Sequence, residues 1–111
     1  MSQNHSVLTL SVKASAALSA NTFVTATGAV ATAAGNALGV ARSDAVSGDL
    51  CPVDVLGTAK VIASAAISAG AHLEVASGGK AVTQTSGKTV GIALEEAGEA
   101  NDVIEVLLIA N

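Results

Sequence analysis

The residues able to do chemistry are few in this 111-residue chain: one cysteine (Cys51), two histidines (His5 and His72), and nine carboxylates against five Lys or Arg. A nucleophilic site needs a thiolate or hydroxyl within hydrogen-bonding reach of a base, and a third group to orient that base. Cys51 instead precedes Pro52 at the entry of an apolar run, the setting of a small core residue. Neither His5 nor His72 is spaced so as to pair with it. Structural zinc takes about four N or S ligands, more than one Cys and two His supply. A single cysteine also forms no internal disulfide, so folding does not depend on an oxidising compartment and is expected to take place in a reducing cytosol.

Carboxylates gather twice, as Asp44 and Asp49 around Ser47-Gly48 and as Glu95, Glu96, Glu99 and Asp102 around Ala97-Gly98. Calcium takes about six to eight oxygens, but the EF-hand spacing is missing. Asp beside Gly and Ser is ordinary turn chemistry, so these are read as solvated turns, with a cation or partner contact as the alternative. Gly87-Lys88-Thr89 ends like a phosphate-binding loop, yet that motif requires Gly at position 82, which is Val. Gly78-Gly79-Lys80 lies between two strand-like runs and reads as a hairpin turn. Asn4-His5-Ser6 has the form of a glycosylation acceptor but follows no secretory signal. The expectation is a non-enzyme with no cofactor, no metal and no small-molecule substrate.

Charge and hydropathy narrow the partners. The net charge is −4 and the basic residues Lys13, Arg42, Lys60, Lys80 and Lys88 are scattered singly. A nucleic-acid binder needs a basic stripe, or aromatic platforms for single strands, and this chain has neither. A membrane helix needs about 18 or more uninterrupted apolar residues. The most apolar stretch, 26–41, is broken by Thr27, Gly28, Thr32, Gly35, Asn36 and Gly39. Protein partners remain.

The elements that would position any site are set by an internal likeness. Ala14-Ser15-Ala16-Ala17-Leu18-Ser19-Ala20 matches Ala63-Ser64-Ala65-Ala66-Ile67-Ser68-Ala69 at a spacing of 49, with one Leu/Ile exchange. Gly35, Gly39, Val40 and Ala41 match Gly87, Gly91, Ile92 and Ala93 at 52, and Val53-Asp54-Val55-Leu56 matches Ile104-Glu105-Val106-Leu107 at 51. Between these landmarks, short β-branched runs alternate with Gly, Asn, Asp and Ser. Expected strands are 7–13, the pair Phe23–Thr25 and Leu73–Val75 leading through Gly turns to Val30 and Val82, then 38–41, 90–94, and 103–109. The Ala/Ser segments are read as loops or a single helical turn, since one Leu or Ile is too small an apolar face for a helix. The whole predicts a polar N-terminal arm (1–6) and one mostly-β domain (7–111). That domain is a compact β-barrel or sandwich of about eight to ten strands, built from two similar half-repeats (about 7–57 and 58–111) with pseudo-twofold similarity.

The core is thin. Of the apolar residues 24 are Ala, against 14 Val, 10 Leu and 5 Ile, with Phe23 the single aromatic. Apolar burial contributes roughly 25 cal/mol per Å², so help from neighbouring subunits is expected.

An Ala/Ser segment, a short strand, a Gly hairpin, Gly-Val-Ala or Gly-Ile-Ala, an acidic turn and an alternating strand, all twice, resemble the small decoration (cement) proteins of tailed-phage capsids. The resemblance covers about 7–109. It rests on Gly39-Val40-Ala41, Gly48-Asp49, Val53 to Leu56, Ala69-Gly70, Gly91-Ile92-Ala93, Gly98, Asn101-Asp102 and Val103 to Leu107. It implies a β-rich protomer, usually a homotrimer, on the exterior of the virion capsid, bridging neighbouring major capsid protein subunits, with no catalytic residues. The arm and the strand after it are the expected capsid contact: Ser2, Gln3, Asn4, His5, Ser6, Val7 and Leu8. The alternative is a virion-surface adhesin or head-fibre module binding host glycans.

Overall fold

The punctuated β-branched runs become eight strands in the computed structural model, which describes residues 5–111: β1 (Ser6–Lys13), β2 (Phe23–Val24), β3 (Gly39–Ala41), β4 (Leu50–Ile62), β5 (His72–Val75), β6 (Ala81–Thr83), β7 (Gly91–Ala93) and β8 (Val103–Leu108). They pair antiparallel in the order β2-β3-β4-β8-β7-β5-β6, with β1 lying separately on β4. The sheet curls into a nearly closed, barrel-like body.

β4 holds the body together. Its first part, Leu50 to Gly57, pairs with β1 and its last part, Thr58 to Ile62, pairs with β8. The change of partner falls at Gly57, whose φ of 93° a side chain would resist and whose Cα lies against the His5 carbonyl. The Gly turns form as expected. Thr25 N–H donates to Ala29 O across the Thr27-Gly28 turn, and a short 3₁₀ turn at Ser77–Gly79 joins β5 to β6. The Ala/Ser segments are loops, each pinned at its centre: Leu18 and Ala45 exchange two backbone hydrogen bonds, as do Ile67 and Ala97.

These paired bonds allow the halves to be aligned by geometry. Asn21 N–H bonds Ala41 O as Gly70 N–H bonds Ala93 O; Leu38 N–H bonds Val24 O as Val90 N–H bonds Leu73 O. Ala14 N–H bonds Asp49 O as Ala63 N–H bonds Asp102 O, and Gly48 N–H bonds Ala14 O as Asn101 N–H bonds Ala63 O. The last two place Cys51 opposite Ile104 and Val53 opposite Val106, a spacing of 53 rather than the 51 read from the sequence. The second acidic turn carries one more residue between its landmarks. A slip of two preserves inward and outward alternation, so side-chain pattern alone does not detect it.

Two buried clusters result. Ala14, Leu18, Val24, Ala41, Ala45, Cys51 and Val53 form one. Ala63, Ile67, Leu73, Ala93, Ala97, Ile104 and Val106, their counterparts, belong to a larger one that also takes in Phe23, Val40, Val61, Val75 and Val90. Gly39 and Gly91 let neighbouring strands close in: a Cβ on Gly39 would run into Asp54 O, and one on Gly91 would stand 2.9 Å from Leu107 O.

Candidate functional site

Among the described residues β1 has one strand partner, β4, and its other edge carries none. Five of its eight residues, Val7 to Ser11, are exposed, and Lys13 as well. Val7 is 77% exposed, Leu8 42% and Leu10 39%, with Leu56 of β4, 48% exposed, paired opposite Leu8. An apolar strand with an open edge is a template for pairing with another chain. Proteins normally blunt such edges with charge or Pro, and β1 has a single charge, Lys13, at its end.

Two buried carboxylates hold this strand in place. Thr9 Oγ1 donates to Asp54 Oδ1 at 2.7 Å, and Arg42 Nε lies 3.5 Å from Asp54 Oδ2. Asp54 is 1% exposed, so its hydrogen bonds offset the cost of burying a charge. At the other end His5 N–H donates to Thr58 Oγ1 at 2.8 Å, Thr58 N–H returns a bond to His5 O at 3.1 Å, and Thr58 Oγ1 donates to Glu105 Oε2 at 2.8 Å. Glu105 is 3% exposed. His5 and Ser6 are therefore built into the sheet margin, followed by exposed Val7 and Leu8. Ser2, Gln3 and Asn4 lie outside the described residues.

Several of the other candidates are engaged internally, while the side chains of His72, Asp49, Glu96 and Glu99 are exposed. Cys51 is fully buried, its Sγ 3.5 Å from Ser43 O. Asp102 Oδ2 accepts from the N–H groups of Gly98 and Glu99, Asp44 Oδ1 from Ala20 N–H, and Glu95 Oε1 from Glu105 N–H. Asp102 thus closes its own turn, while Asp44 and Glu95 tie theirs to a neighbouring segment. Among the described residues no three His, Cys, Asp or Glu side chains group closely enough to hold a metal ion. The residues leading into Gly87-Lys88-Thr89, Thr85 to Gly87, do present a nest of amides, but Glu74 fills it. Its Oε1 accepts from the N–H groups of Thr85 (2.5 Å), Ser86 and Gly87 (both 3.2 Å) and from the Thr85 hydroxyl. Those bonds, Thr85 N–H first and Gly87 N–H next, hold the Glu74 carboxyl below its ordinary range against the opposing effect of burial. Sequence reasoning did not anticipate Asp54, Glu74 or Glu105 as buried; the one available signal was a carboxylate in the middle of each apolar run.

With three of its carboxylates buried as strand and loop fasteners, its cysteine in the core and an apolar strand left open at the margin among the described residues, the molecule has the build of a binding scaffold. The family model described as phage cement protein matches residues 1–108, and the chain belongs to that family of structural capsid proteins. Among solved structures, the head fiber gp8.5 N base of bacteriophage phi29 is similar at 22% identity, covering 92% of this chain and 93% of that one, with a TM-score of 0.74. That likeness establishes the fold. No curated protein sequence matches.

Proposed function

We propose that the chain binds the outer surface of a phage capsid as a homotrimer and holds neighbouring major capsid protein subunits together, gripping them with Ser2 to Leu8. The observation that carries this reading is β1: an apolar strand fastened along one edge by buried carboxylates and open along the other, with Val7 and Leu8 projecting. Such a strand can add to a sheet margin or bind through its exposed side chains. Three weak grips tied into one trimer act at high effective concentration, so avidity exceeds a single contact by roughly 10²–10⁴. Attachment of this kind resists separation of capsid subunits without any one contact being strong.

The alternative, a virion-surface adhesin or head-fibre module binding host glycans, is favoured only weakly by the likeness to the phi29 head fiber base. Sugar platforms favour aromatic rings, and the one aromatic, Phe23, is fully buried.

Co-sedimentation with expanded and unexpanded phage shells tests the proposal. Wild-type chain should pellet with shells; deletion of Met1 to Ser6, and separately Leu8→Asp, should each lower occupancy at least tenfold while the chain stays folded. Undiminished occupancy in both variants would remove the assignment of the contact to this strand.

A further inference from the structure

Matching apolar faces of the two halves have different surroundings. In the second half Ala59, Val61, Val75 and Val90 share one buried cluster with Phe23 of the first half. Ile62 N–H donates to Asn21 O at 2.9 Å, holding the Asn21–Phe23 segment along β4. By the backbone alignment, the counterparts of those four residues are Leu10, Val12, Ala26 and Leu38. All four line an open groove along β1. The segment corresponding to Asn21–Phe23 is Gly70–His72, and it does not fill that groove. Lys13, the counterpart of Ile62, and Gly70 make no backbone bond with each other, and Ser68, Gly70 and His72 are exposed.

The contact that the Asn21–Phe23 segment makes with the second half is thus not returned by Gly70–His72. A contact made from one half to its like and not returned is heterologous. It necessarily leaves one unused groove and one unused segment, and repetition between molecules gives a ring or a filament. We infer that the groove along β1 takes the Ser68–His72 segment of a second copy of this chain. Copies then join head to tail in a closed ring, repeating between molecules the contact that joins the halves within one. The groove lining includes Ser11, Ser15 and Ser47, which suits His72 in the place that Phe23 takes within the chain. The inference rests on the homotrimer proposed above and supplies its interface.

Complementation tests it. Leu10→Arg, or independently Ala26→Arg, blocks the groove and leaves the segment; His72→Arg blocks the segment and leaves the groove. By light scattering the wild type should have the mass of a closed oligomer. Each variant alone should be monomeric with an unchanged β-sheet circular dichroism spectrum, and an equal mixture of groove-blocked and segment-blocked chains should form dimers. The inference is overturned if both kinds of variant keep the wild-type mass, if the mixture stays monomeric, or if the wild type is itself monomeric. It is also overturned if groove variants keep their mass but lose binding to shells, which would make a capsid segment the occupant. A ring that ignores shells would instead sink the capsid reading and leave the interface standing.

Discussion

The small cluster of the first half, from Ala14 to Val53, and its counterpart in the second, from Ala63 to Val106, sit on like backbones but differ in surroundings. In the second half Leu73 and Ile104 stand where the first has Val24 and Cys51, and Phe23 and Val40 close over them in one continuous core. In the first half, the half-buried Val12, Val30, Leu38 and Val55 are all that closes the cluster. Apolar burial, and hence stability, is concentrated in the second half, while the first leaves its apolar margin to a partner. Local opening follows burial, so amides of β1 should exchange before those of β8.

Phe23 offers the strongest way to break that contrast, because it belongs to the first half by sequence and to the second by packing. Phe23→Ala should cost about 3–5 kcal/mol in urea denaturation; a loss under about 1 kcal/mol would mean the halves stand without each other. Ile104→Ala against Cys51→Ala sharpens it. The first should cost about 2–5 kcal/mol, and the second, which removes one sulfur atom, less than half as much. Next come the paired glycines. Gly39→Ala should cost about 1–3 kcal/mol because its Cβ meets a carbonyl oxygen, with Gly91→Ala milder in parallel thermal melts, since its closest approach is looser.

The smallest effect separates the halves by pH. Glu74 has Thr25 as its first-half counterpart, which does not titrate. Because the folded pKa of Glu74 lies below its ordinary 4.5, its contribution is complete above that value and is lost as pH falls through the folded pKa. Amide exchange at Thr85, Ser86 and Gly87, corrected for intrinsic rates, should quicken relative to other loops as the solution is made acid. Glu74→Gln should flatten that dependence; an identical profile in the variant would show that the carboxylate does not hold the loop.

Fold class and turn positions were legible because they rest on local chemistry: Thr27-Gly28 and Ser77-Gly78-Gly79 turn, and alternating β-branched residues extend. The register of the last strand was not, since a shift of two leaves every side chain on its expected face. Nor was the burial of Asp54, which depends on Thr9 arriving from β1 and Arg42 from the bend after β3. As for the interaction surface, β1 could be read as a strand, and its apolar side chains were plain. That its outer edge lacks a strand neighbour among the described residues is a property of the sheet order, and no residue within 6–13 encodes it.

β4 runs unbroken from Leu50 to Ile62 through both halves. If a capsid under pressure pulls on β1, tension enters along the strand axis, and the β1–β4 and β4–β8 ladders are loaded in shear, with many hydrogen bonds strained together. Peeling would break them singly. A fastener with its two parts joined by a flexible linker would part at that linker, whereas here the load-carrying member and the joint are one length of backbone.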